Sequence, residues 1–173
     1  MPLPAPLTFR FDDDGLVPNN ALPVVVYEAA LDLGSDDDPA ATIEALFETN
    51  GWGRDLWRNG VYPFVHYHAA IHEALGIARG HARVQLGGHR GRVFDLKPGD
   101  VAILPAGTGH QRLSASDEFL GVGGYPPEGT YNRGRGDNSA ERGKALTTIP
   151  RVPLPRIDPV ICADGGRTEL WTR

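Results

Sequence analysis

The stretch HYHAAIHEALG, residues 66–76, places His66, His68, His72 and Glu73 within eight positions, and a further histidine, His110, ends GDVAILPAGTGH. Half of the chain's six histidines fall in the first stretch. Neutral imidazole nitrogens beside a carboxylate suit Fe, Mn, Zn, Ni or Cu, whereas calcium and magnesium take oxygen ligands. The absence of cysteine beside them argues against a closed structural zinc cage. One divalent transition-metal ion per chain is therefore expected. Three imidazoles and one carboxylate leave positions open on a six-coordinate metal, so the chemistry in view is activation of a small molecule.

Strand parity weighs His72 against Glu73, because side chains at i and i+2 share a face. In VYPFVHYH, residues 61–68, His66 and His68 point one way. Tyr62 and Phe64 share that direction and become candidates for the pocket wall. In HEALGIARG, residues 72–80, Glu73, Leu75 and Ile77 share one face and His72, Ala74, Gly76 and Ala78 the other. The face with Leu and Ile is the better interior, which favours Glu73 over His72. The expected metal ligands are thus His66, His68, Glu73 and His110, with Glu73 also able to take a proton from a substrate. His72 is expected as a supporting or interface residue. Arg112 shares the parity of His110 and is a candidate contact for an anionic substrate, although a surface position at the rim fits it equally. His81 and His89 flank turns and are expected in solvent; Trp52 and Trp57 are expected as core anchors.

The elements that must position these groups are mostly strands. ALPVVVYEAA, residues 21–30, is β-branched and apolar despite Pro23. From 61 to 124, short strand patterns alternate with turn signals and no helix intervenes, which predicts an antiparallel barrel or sandwich. A barrel core at about 55–125 follows, preceded by an irregular N-terminal arm over residues 1–20. One short helix is expected: Asp38 caps it, Pro39 fits its first turn, Ile43, Leu46 and Phe47 form its apolar stripe, and Asn50-Gly51 stops it. The Gly/Arg-rich stretch GTYNRGRGDNSAERGKA reads as an exposed loop with at most a helical turn. IPRVPLPRIDPV is too rich in proline for a central strand and is expected to dock on the barrel's outside.

Composition narrows the class. A net charge of −5, from 17 Lys and Arg against 22 Asp and Glu, lacks the basic face that a nucleic acid requires. A single cysteine, Cys162, allows no internal disulfide and suits a reducing cytosol. MPLPAPLTFRFDDDG has no basic leader with a long apolar run, and no segment reaches the roughly 18–20 apolar residues of a membrane span. A cytoplasmic location, without membrane or nucleic-acid partners, is expected. At 173 residues, 40% of them hydrophobic, the chain is expected to form a single domain over 1–173.

GVYPFVHYHAAIHEALGIARG resembles the first cupin motif, G-x5-HxH-x3,4-E-x6-G, through Gly60, His66, His68, Glu73 and Gly80. GDVAILPAGTGH resembles the second, G-x5-P-x-G-x2-H, through Gly99, Pro105, Gly107 and His110. The second motif usually continues to an Asn where this chain has Ser114, a departure that touches the pocket rather than the ligands. DDGLVPNN, NGWGRDLWRNGVYPFVHYHAAIHEALG, LPAGTGH, GGYP and VPLPRIDPV are similar to the YjlB-type branch of the cupins, nearly end to end. The resemblance implies an all-β double-stranded β-helix, or jelly-roll barrel, with a metal at its centre. It also implies a homodimer, to which the strand at 21–30 contributes. It implies no particular reaction. The leading expectation is Fe(II)- or Mn(II)-dependent oxygenase chemistry on a small polar molecule, such as a chelating enol, enolate or keto acid. The alternatives are a metal-dependent isomerase or epimerase, and a non-catalytic cupin that binds or senses a small ligand.

Overall fold

Alternation along the strands builds two apolar layers around one sheet. The structure, a computed structural model, describes residue 3, residues 5–161 and residue 171. Cys162 lies outside the described residues. Nine strands are found among them: β1 (Leu7–Phe9), β2 (Val24–Tyr27), β3 (Arg54–Asn59), β4 (Glu73–Arg79), β5 (Ala82–Leu86), β6 (Arg92–Leu96), β7 (Val101–Leu104), β8 (His110–Ala115) and β9 (Leu120–Tyr125). Six form one sheet in the order β1-β2-β7-β4-β9-β3, and three form a second in the order β6-β5-β8. Every pairing is antiparallel.

Leu75 and Ile77 of β4 meet Val24 and Val26 of β2, Ala102 and Leu104 of β7, and Val84 and Leu86 of β5 in one buried cluster. That cluster joins the two sheets into the jelly-roll barrel. The opposite faces of the same strands, through Val25, Tyr27, Ala74, Val101 and Ile103, pack outward. They are covered there by α1 (Pro39–Thr49), which buries Ile43 and Phe47. Asp38 caps α1 by accepting from the Ala41 amide, as its sequence suggests. Gly76 of β4 makes close approach possible, since a Cβ there would lie 2.7 Å from Ile43 Cγ2. The chain at 149–160 docks over this outer layer through Leu154 and Val160. No helix among the described residues is long and apolar enough to cross a membrane.

Several elements differ from expectation. VYPFVHYH is no continuous strand: only His66, bridged to His110, and Tyr67, bridged to Gly134, pair in sheet fashion. The strand lies earlier, at β3, whose sequence RDLWRN is polar because it runs along a sheet edge. The barrel also extends before residue 55, because β1 and β2 join the larger sheet. A second helix, α2 (Ser139–Thr148), replaces the last part of the expected loop, followed by a 3-10 turn at Ile149–Arg151. It buries Ala145, so no apolar stripe announces it, but Asn138 accepts from the amides of Ala140 and Glu141 at its start. Asn138 followed by Glu141 is the sequence signal of a capping box. Within the stretch 21–30, Val24–Tyr27 is buried and flanked by β1 and β7. On this side of the sheet the edge strand is β1.

Candidate metal centre

Each of the three histidines is oriented by a backbone carbonyl on its Nδ1. His66 Nδ1 lies 3.0 Å from the Phe64 carbonyl, His68 Nδ1 2.6 Å from that of Asn132, and His110 Nδ1 2.9 Å from that of Thr108. A carbonyl only accepts, so each Nδ1 carries a proton, and in the neutral ring each Nε2 presents its lone pair. One ligand nitrogen from each of the three buried rings can be brought within 4.8 Å of the others. The backbone enforces this convergence. His66 and His110 exchange amide hydrogen bonds of 3.2 and 2.9 Å, and the His68 carbonyl accepts from Gly107 at 2.7 Å.

Glu73 opens β4 opposite Leu104 of β7. It is not part of that set of three, but its Oε2 lies 3.3 Å from His68 Nε2 and 3.1 Å from His110 Nε2. The same buried Oε2 has no well-aligned hydrogen-bond donor. The two results fit together: the nitrogens are close without directing N–H bonds at the carboxylate. Its other oxygen, Oε1, accepts from the Tyr125 hydroxyl at 3.2 Å, and that hydroxyl accepts from Trp57 Nε1 at 3.1 Å. Lone pairs from three imidazoles facing an unsatisfied buried carboxylate oxygen fit a divalent transition metal.

The electrostatics agree with a site short of positive charge. Burial opposes ionisation of Glu73, but His68 and His110 outweigh it and hold the carboxyl well below the usual range. Burial also opposes a charge on His68, and there the Glu73 carboxylate prevails and raises its pKa. At His66, burial, reinforced by His110, pushes the pKa down to about 3. Burial and the charge of Glu73 drive Tyr125 far above the usual tyrosine range, so it remains a donor.

These groups line a cavity of about 530 Å³. Tyr62 lines it, whereas Phe64 stacks on Tyr62 with ring centroids 4.9 Å apart. Arg112 is half-buried, and its guanidinium lies behind the wall at Gly60, where an added Cβ would come 2.7 Å from Nη1. His72 takes no part in the cluster. It is fully buried on the outer side, its Nδ1 accepting from the Ala106 amide at 2.9 Å and its Nε2 lying 3.1 Å from the Pro153 carbonyl. Trp52 is a core residue, but Trp57 lines the cavity. Gly123 permits this, since a Cβ there would fall 2.0 Å from the Trp57 ring. Tyr125, Tyr131 and Asn132 were not singled out from the sequence. Tyr125 ends β9, and its neighbours in the site come from other segments, which the local pattern does not reveal.

No family model matches the chain. Among solved structures, it is similar to an acireductone dioxygenase from Bacillus anthracis with a cadmium ion in its active centre. The identity is 17%, the TM-score 0.41, and 61% of this chain and 80% of that one are covered. It is similar also to oxalate decarboxylase of Bacillus subtilis, at 16% identity and a TM-score of 0.36, over 70% of this chain and 29% of that one. Likeness this slight transfers no activity. "Uncharacterized protein YjlB" of Bacillus subtilis (strain 168) is 36% identical over 167 residues. Because that identity covers 96% of each chain, the protein belongs to the YjlB family.

Proposed function

We propose that this protein is a cytoplasmic, metal-dependent enzyme that carries out oxygenase chemistry on a small polar molecule. The observation that carries the reading is the convergence of one ring nitrogen from each of three buried histidines, beside the Glu73 carboxylate, in the lining of a cavity. His66, His68, Glu73 and His110 would hold one ion, with Fe(II) or Mn(II) favoured among Fe, Mn, Zn, Ni and Cu. Such an ion supplies open positions at which a chelating substrate and oxygen can meet. The carbonyls of Phe64, Asn132 and Thr108 keep the rings in the right tautomer. Tyr125 engages Oε1 of Glu73 and leaves Oε2 turned to the nitrogens; in this reading a Glu73 that loosens from the ion also takes a substrate proton. Tyr62 and Phe64 form an aromatic wall that limits water, and Arg112 adds positive charge from behind Gly60.

Protein purified without a histidine tag, reloaded with Fe(II) and supplied with enols, keto acids and hydroxy acids, should consume oxygen with at least one of them. Turnover by Zn(II)-loaded protein without oxygen uptake would instead favour isomerase or epimerase chemistry, with the metal as a Lewis acid.

Two copies are proposed to pair through the edge strand β1, which flanks β2; Leu7 on that edge is 43% exposed. Light scattering at micromolar concentration should return the mass of a dimer, and a monomer would refute the pairing while leaving the metal site untouched.

A further inference from the structure

Beside Tyr62, which lines the cavity, and Phe64, which stacks on it, lie two guanidiniums for which no carboxylate partner is found among the described residues. The guanidinium of Arg133 lies 4.9 Å from the ring centroid of Tyr62, and that of Arg135 lies 3.9 Å from the centroid of Phe64. A guanidinium lying over a ring still presents its N–H edge to an acceptor in its own plane. The two charged residues of the cavity lining outside the histidine cluster are paired: Arg58 binds Glu44 at 2.7 Å and Asp38 at 3.1 Å, and Asp55 meets Arg54 at 3.5 Å. Among the described residues, no carboxylate pairs with Arg133 or Arg135.

The mounting of Arg133 is not that of a loose surface loop. Its neighbour Gly134 exchanges amide hydrogen bonds of 2.9 and 2.8 Å with Tyr67, between the two histidines of the HxH pair. Its other neighbour, Asn132, gives its carbonyl to His68 and its side-chain oxygen to the Ala70 amide at 3.1 Å. Two residues further back, the Thr130 amide donates to the Ala70 carbonyl at 3.0 Å. The backbone that orients a ligand imidazole therefore also sets Arg133 beside Tyr62. The cavity wall is largely apolar and aromatic, with Leu75, Val61, Tyr125 and Tyr131.

We propose that the substrate is a small organic acid bearing anionic groups at both ends. A chelating head reaches the histidine cluster, and a distal carboxylate or phosphoryl group meets Arg133, with Arg135 beside it. The identity of the head rests on the metal reading above; the recognition of the distal anion does not.

Calorimetry on Ni(II)-loaded protein tests this with three probes that share a 2-hydroxycarboxylate head. 2-Hydroxyglutarate adds a distal carboxylate, 3-phosphoglycerate adds a distal phosphoryl group, and 2-hydroxypentanoate has no distal charge. At least one of the doubly anionic probes should bind about tenfold more tightly than 2-hydroxypentanoate, and the stronger of the two identifies the distal group. Arg133→Gln should remove that preference, with Arg133→Gln/Arg135→Gln as the second variant, while metal content and affinity for 2-hydroxypentanoate stay within about twofold. Equal binding of all three probes overturns the proposal, as does a preference that survives in the double variant. If no metal binds, the metal reading fails and metal-free protein decides. Salt-sensitive binding of a doubly anionic probe that Arg133→Gln abolishes upholds the anion site, and its absence overturns it.

Discussion

His66→Ala should yield folded protein that retains almost no metal, whereas the unaltered chain carries about one transition-metal ion, measured by elemental analysis after purification without a tag. The loss should be large, because His66 supplies one of the three ring nitrogens that lie within 4.8 Å of one another. Changes to groups that only support a ligand cost about 10–100-fold in affinity, so removing a ligand should cost more than about 100-fold. Glu73→Ala should cost at least about tenfold, by removing a carboxylate that reaches two of the nitrogens. Stoichiometric metal in both variants would remove the basis of the proposed centre. Acid should act in the same direction. The Glu73 carboxylate raises the pKa of His68 above its ordinary 6.5, so this ring holds its proton to a higher pH than a free histidine. Metal must displace that proton. Affinity is therefore full only above the raised pKa and declines as pH falls through it, most steeply below about pH 6.

His72→Leu should behave in the opposite way, keeping its metal while losing about 2–4 kcal/mol of stability. The side chain is fully buried and ties three segments together: its own, the Ala106 amide after β7, and the Pro153 carbonyl in the chain that covers the outer layer. It also packs on Trp171, with ring centroids 4.8 Å apart. Leucine restores volume but leaves a buried N–H and a buried C=O without this partner, and each such group costs about 1–3 kcal/mol. Thermal unfolding should shift down by roughly 5–15 °C for a chain of this size. A variant of wild-type stability would show that the C-terminal chain does not depend on this histidine. A variant that unfolds normally but arrives without metal would show that His72, and not Glu73, serves the centre.

The division between these two residues was readable from the chain because a strand has a period of two. With Leu75 and Ile77 facing the barrel interior, Glu73 has to face it as well, and His72 has to turn away. The same local rule brought His66 and His68 to one side, although the segment holding them forms only isolated bridges rather than a strand. Capping and stripe signals placed α1, whose burial pattern follows its sequence; β3 and α2 escaped because an edge strand and a solvent-lying helix need no apolar periodicity. Which residues are candidate ligands, and what class of metal they would suit, is thus legible in residue type and spacing alone, since donor chemistry is a property of each side chain. The tautomer of His68 depends on the Asn132 carbonyl 64 residues away, Oε1 of Glu73 is held by Tyr125, and the Arg133 guanidinium lies over the Tyr62 ring. Only the tertiary structure decided these, because each is a contact between segments that the folded barrel brings together, and no local periodicity encodes which distant carbonyl, hydroxyl or guanidinium will arrive.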